Sequence, residues 1–221
     1  ISLGLSNADW DGVYYDSREA GATTAPRLVL TVGGTPAPDP FLYAAGDIGT
    51  CTTSNDEATG LLLDGTTGTV MPLGDLAYPD GSTTDYANCY DPAWGRFKPR
   101  TRPVIGNHEY VTPGAAPYFA YFGASAGEPG KGWYSFDLGA SWHVVVLNSN
   151  CALIDCGADS EQLAWLRADL AASARPCVLA FWHIPLVSDA NPFPDGRDES
   201  VRAFWDALYA AGASVVLNGH R

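Results

Sequence analysis

Apolar and polar positions change their period along this chain. Within residues 1–34, Ile1-Ser2-Leu3-Gly4-Leu5 alternates at period two, and residues 12–18 and 27–32 each read as a strand. Residues 35–40 follow, and three prolines in six residues make a stiff, extended linker, which puts a domain boundary there. An ordinary proline-rich loop inside one domain is the alternative. From Phe41 onward short apolar runs alternate with helical patterns, the signature of α/β layers. The runs ending at Ala45, Leu73, Ile105, Trp182 and Leu217 read as short buried strands, and residues 133–138 and 142–147 as a hairpin turning at Gly139-Ala140-Ser141. Asp159-Ser160-Glu161-Gln162 is a capping start for a helix with the stripe Leu163, Leu166 and Leu170. Residues 198–211 read as a second helix, with Val201, Phe204, Trp205 and Leu208 on one face and Gly212 ending it.

Composition narrows what such layers can serve. The 221 residues suffice for one well-filled α/β domain plus a fragment of another, and 46% apolar content suits a folded globule. The longest apolar runs fall far short of the roughly 20 residues a membrane helix needs, so no membrane span is expected. A net charge of -13, from 25 acids against 12 bases, argues against a surface that grips nucleic acid by its phosphates. It fits a secreted protein kept soluble by self-repulsion. The five cysteines lean the same way, since Cys151 and Cys156 flank a short polar loop and could close it. Spacing does not fix the connectivity of Cys51, Cys89 and Cys177; the first two become the second pair if both sit on loops over the site. No charged and apolar leader opens the chain at Ile1, so a signal peptide is expected to be cleaved or outside this sequence.

The chemistry sits where the apolar runs stop. Asp47, Asp75, Asn107, His183 and His220 each follow one, and a parallel sheet would bring five strand ends to one edge, the place where open α/β sheets put their ligands. Singly, each has a bland account: Asp after Gly is commonly a turn residue, and a lone His a satisfied buried imidazole. Together they offer carboxylate, amide and imidazole donors suited to borderline or hard cations. Asp75 could bridge two ions, with Asp47 on one and Asn107, His183 and His220 on the other. His143, mid-strand between Trp142 and Val144, reads as packing, and Glu109 and Tyr110 as structural.

Gly46-Asp47-Ile48-Gly49, Gly74-Asp75-Leu76-Ala77-Tyr78, Gly106-Asn107-His108-Glu109, Ala180-Phe181-Trp182-His183 and Gly219-His220-Arg221 resemble the motif series of the calcineurin-like metallophosphoesterases, within them the purple acid phosphatase type. The likeness covers residues 41–221 and implies a four-layer αββα sandwich. It also implies two metal ions: Asp75 bridging, Asp47 and Tyr78 on the first, Asn107, His183 and His220 on the second. A phenolate ligand favours Fe(III), paired with Zn(II), Fe(II) or Mn(II); a phenol merely packed over the loop is the other account of Tyr78. His108 would face substrate, steadying the phosphate and protonating the leaving group. Two departures stand out. Gly49 occupies a position where many relatives carry a ligating His, and the sequence stops at Arg221, one residue before the second His of the last motif.

What this resemblance implies is a hydrolase of small phosphate monoesters, acting by in-line attack of a metal-bound hydroxide; the cysteines and the acidity add the secreted setting. A phosphodiesterase or nucleotidase of the same fold is the alternative, and residues 111–131 and 188–197 carry no readable substrate code. Separately, Tyr15-Asp16-Ser17-Arg18-Glu19-Ala20 and Ala25-Pro26-Arg27-Leu28-Val29 resemble the end of a disaggregatase-related (DNRLRE) β-sandwich module, so residues 1–34 would be the tail of an upstream domain. A rival of another class follows from that: a carbohydrate- or cell-wall-binding protein carrying a degenerate esterase fold.

Overall fold

The computed structural model describes residues 41–188 and 196–220. The expected module and linker over residues 1–40 lie outside them. Within the described residues the elements run β1 (Leu42–Ala45), α1 (Asn55–Leu61), β2 (Thr69–Pro72), α2 (Thr83–Asp85), a π turn (Tyr86–Tyr90), α3 (Asp91–Trp94), α4 (Ala116–Phe122), β3 (Tyr134–Leu138), β4 (Trp142–Val146), α5 (Glu161–Ala172), β5 (Cys177–Trp182), α6 (Arg202–Ala210) and β6 (Val215–Asn218), with short 3-10 turns between.

Two sheets form. β1 and β2 pair in parallel, and β3-β4-β5-β6 make a second sheet, antiparallel at the hairpin and parallel thereafter. The strand expected before Asn107 is reduced to two bridges on β2, Val70 with Thr101 and Leu73 with Val104. Arg102 N donates to Val70 O and Val104 N to Pro72 O, so the segment touches β2 at alternate residues and Pro103 between them faces away from it. The edge that carries the candidate ligands is therefore shared by two sheets rather than one.

Period two explains how the sheets stack. Along β4, Val144 and Val146 turn to one side and pack with Met71, Leu73, Val104, Leu179 and Phe181 between the sheets. Val145 turns to the other side, with Ala180 and Trp182 of β5, and meets Leu163 and Leu166 of α5 and Phe204 and Leu208 of α6. On the first sheet Val70 faces outward to a third cluster of Tyr86, Tyr90, Trp94, Tyr118 and Phe122. Three apolar interfaces define four layers, helix, sheet, sheet and helix, which is the αββα sandwich expected from sequence. Strands buried on both faces need continuous apolar runs, and β4 and β5 have them. Truncating Phe181, fully buried in the central interface, would cost about 3–5 kcal/mol.

The helices follow their sequence signals with two differences. Ser160 caps α5 by accepting from Leu163 N at 3.1 Å, and Leu163 and Leu166 are fully buried. The 198–211 segment opens as a 3-10 turn (Glu199–Val201) capped by Asp198, and α6 begins only at Arg202. Its buried stripe is Val201, Phe204 and Leu208; Trp205 is 38% exposed and touches the core only edge-on, its ring against Trp182. Cys51–Cys89 and Cys151–Cys156 are disulfides, and Cys177 is a free thiol. No helix among the described residues is long and apolar enough to cross a membrane.

Candidate metal centre

β1 and β2 end side by side, and their continuations stay paired. Asp47 N donates to Gly74 O, Ile48 N to Asp75 O, Gly49 N to Leu76 O and Tyr78 N to Gly49 O. That ladder sets Asp47 and Asp75 abreast. Both have positive φ, +56° and +53°, as does His220 at +67°; among the described non-glycine residues only Ala115 shares the trait. Each such conformation costs on the order of 1–3 kcal/mol and persists only where the surroundings enforce it. Gly74, at φ +90°, has no room for a side chain either: a Cβ there would lie 2.4 Å from His183 Nδ1. The glycine ahead of Asp75 thus lets β5 close on β2.

Six candidate ligands converge. Tyr78 donates its hydroxyl to Asp47 Oδ1 at 2.9 Å and to Asp75 Oδ2 at 3.3 Å. Asp75 Oδ2 lies 3.2 Å from His183 Nε2, which is 3.2 Å from Asn107 Oδ1 and 3.1 Å from His220 Nδ1. Asp47 Oδ2 accepts from His220 N at 3.0 Å. Asp75 and His183 are buried, whereas Asp47, Tyr78, Asn107 and His220 are half-buried around them.

The donor set fits a cation. Ligand atoms of Asp75, His183 and His220 all lie within 4.8 Å of one another, close enough to hold one ion. His183 Nδ1 donates to Leu73 O at 2.7 Å, which fixes the ring and turns Nε2 toward the other donors. Burial pushes the Asp75 carboxyl up, but the hydrogen bond and charge of His183 outweigh it and hold the group below its ordinary range. For His183 burial opposes the charged form, and Asp75 reverses the balance, raising the imidazole. The phenol of Tyr78 is pushed up, first by burial and then by Asp75 and Asp47. Nitrogen and oxygen donors facing one another at these distances are the constellation expected of a site that binds a positive ion.

Beside the cluster His108 is turned the other way. Its Nδ1 donates to Pro79 O at 2.5 Å, its ring packs on Tyr78 with centroids 4.5 Å apart, and Nε2 lies 3.9 Å from Asp75 Oδ2. The side chain is 35% exposed, open to a ligand from solvent. Gly49 has no space for a side chain: a Cβ would lie 2.4 Å from Leu76 O, within the parallel bridge of Gly49 with Ala77.

His143 does more than the packing expected of it. Its Nδ1 donates to Asp137 Oδ1 at 3.0 Å and its Nε2 to Asp169 Oδ2 at 2.7 Å, tying β3, β4 and α5 together away from the strand ends. Two carboxylates spaced along the sequence as Asp137 and Asp169 gave no motif to find them by. Glu109 also proves to be fully buried, consistent with a structural part.

No protein-family model matches the chain. It is similar to Purple acid phosphatase 15 of Arabidopsis thaliana, 26% identical over 213 residues, covering 81% of this chain and 39% of that protein. Purple acid phosphatases 18 and 22 of the same plant are 28% identical over 155 residues and 30% over 162, each covering 61% of this chain and 35% of theirs. The chain thus spans little more than a third of the length of these curated relatives. Among solved structures it resembles purple acid phosphatase PPD1 from yellow lupin seeds, with a TM-score of 0.63 at 18% identity, covering 81% of this chain and 37% of that one. It also resembles GAP50, the anchor in the inner membrane complex of Plasmodium, with a TM-score of 0.59 at 12% identity over 81% of this chain and 65% of that one. In sequence likeness and in architecture, the chain has the calcineurin-like fold of purple acid phosphatase type.

Proposed function

We propose that this chain is the catalytic domain of a secreted, metal-dependent phosphatase that hydrolyses small phosphate monoesters. The observation that carries the reading is the convergence of Asp47, Asp75, Tyr78, Asn107, His183 and His220, three of them on strained backbone, beside an exposed histidine. In this reading two ions are held, one by Asp47, Tyr78 and Asp75, the other by Asp75, Asn107, His183 and His220. Fe(III) with Zn(II), Fe(II) or Mn(II) suits a phenol in the first set and imidazoles in the second. Bound ions would make water acidic enough to act near neutral pH and would offset phosphate charge in a protein of net charge -13.

The chain's own groups supply the rest. Asp75 Oδ2 lies between the two donor sets, 3.3 Å from the Tyr78 hydroxyl and 3.2 Å from His183 Nε2, the position a shared ligand needs. With Nδ1 committed to Pro79 O, His108 presents Nε2 to the substrate, where it can hold a proton for the leaving oxygen as the P–O ester bond breaks. Attack by water on phosphorus opposite that oxygen yields inorganic phosphate and the alcohol. Two disulfides and the acidic balance support an extracellular setting.

Turnover of a simple aryl phosphate by the full-length protein, before and after a strong chelator and again after adding back Fe(III) and Zn(II), tests the proposal. Activity lost on chelation and restored by the ions, with visible absorbance from a Tyr78 phenolate, is expected. A metal-loaded protein that turns over no phosphate ester would instead leave a non-catalytic use of the fold.

A further inference from the structure

One buried carboxylate beside the centre belongs to neither donor set. Glu109 sits in the 3-10 turn that follows Asn107, is completely buried, and accepts four hydrogen bonds. Its Oε2 receives Asp75 N at 3.1 Å and Gly106 N at 2.7 Å; its Oε1 receives Leu76 N at 2.8 Å and the Tyr86 hydroxyl at 3.3 Å. Three of the donors are backbone amides from the two turns that carry Asp75 and Asn107. Asp75 answers from its side: its Oδ1 accepts from His108 N at 2.9 Å, which leaves Oδ2 facing Tyr78 and His183.

We infer that Glu109 is a positioning residue for the metal centre, a clamp that holds Asp75 on its left-handed backbone and ties the Asp75 turn to the Asn107 turn. The inference rests on the metal reading above. Without the carboxylate, three buried N–H groups would have no acceptor, and each such orphan costs about 1–3 kcal/mol. The left-handed turn that aims Oδ2 inward would then relax first, because it is the strained part. The clamp also demands an acceptor at every point. An amide in place of the carboxylate must turn its NH2 either toward Leu76 N or toward Asp75 N and Gly106 N, so Glu109→Gln loses at least one backbone contact in either orientation.

The test is calorimetric titration of the metal-free full-length protein with Zn(II). Glu109→Gln should weaken Zn(II) binding by about 10- to 100-fold, the range seen when groups supporting metal ligands are removed. Tyr86→Phe, which keeps all three backbone contacts, should bind like the wild type. Leu163→Ala, in the core under α5, serves as a variant that lowers the melting temperature without touching the clamp, and its Zn(II) affinity should be unchanged. Glu109→Gln binding as tightly as Leu163→Ala overturns the inference and leaves the metal reading standing. A wild-type protein that binds no Zn(II) removes both. Should Glu109→Gln fail to fold, Glu109→Asp, whose carboxylate is set back by one methylene, replaces it with the same expectation of weakened binding, and unchanged affinity again overturns the clamp.

Discussion

Two histidines in this molecule lie against carboxylates, His143 against two and His183 against one, and their surroundings differ in every other respect. His143 donates from both ring nitrogens to acceptor-only carboxylates, Asp137 and Asp169, and Asp137 is held in turn by Arg175 at 2.9 Å while Asp169 receives the Ser135 hydroxyl at 2.7 Å. The protein supplies every opposite charge, and the backbone there is ordinary strand and helix. His183 meets Asp75, Asn107 and His220 where ligand-type side chains crowd round one ring nitrogen and three residues occupy left-handed backbone. A buried His beside carboxylates is therefore not itself a sign of a site. What separates the two is whether the chain completes its own electrostatics, and where strain is tolerated.

The sharpest way to break that contrast is at Asp75. Asp75→Asn should lower aryl phosphate turnover by more than about 100-fold, beyond the usual effect of a supporting group, and should reduce the metal content found by elemental analysis. Equal activity in the variant would put the strand-end cluster on the same footing as the His143 one. Gly74→Ala comes next. Its methyl group would meet His183 Nδ1 at 2.4 Å on a backbone of φ +90°, so denaturant unfolding should show a loss of about 3 kcal/mol.

The smallest effect is expected at the self-completed cluster. His143→Gln should lower stability by about 1–2 kcal/mol, the scale of hydrogen bonds to charged groups reduced for the half-exposed Asp137, and should leave turnover intact. The pH dependence gives the sign. Burial opposes the His143 charge, but Asp137 and Asp169 win and hold the imidazole above its ordinary 6.5. Its contribution is then full below 6.5 and disappears as pH rises through the raised native value. Asp137 is lowered, first by His143 and then by Arg175, so its contribution is present above its ordinary 3.8 and lost as pH falls further. Melting temperatures should therefore show an extra margin between roughly pH 4 and 6.5 that the variant lacks.

Much of this is legible in the sequence. The apolar runs of β4 and β5 and the cap at Ser160 predicted their elements, and the Gly-Asp and Asn-His motifs marked the residues that the fold brings together. Local signals carry such information because strand period and capping act over a few residues. What stayed hidden depended on distant partners. The apolar run before Asn107 forms only two bridges with β2 rather than a full strand, and Trp205 looks like core until the packing of α6 against Trp182 is known. Glu109 and His143 hid for the same reason: acceptors 33 and 34 residues from their donors, or an Asp 26 residues from its His, leave no periodic trace.

The bridge between Cys51 and Cys89 closes a ring of chain 38 residues apart in sequence, and inside that ring lie Asp75 and Tyr78. Opening it would return about 4 kcal/mol of freedom to the unfolded chain, a large share of the 5–15 kcal/mol by which domains of this kind outlast unfolding. A reducing compartment would thus attack the persistence of the ligand-bearing turn itself, so that the redox state of the surroundings, as much as any ion, decides how long the centre endures.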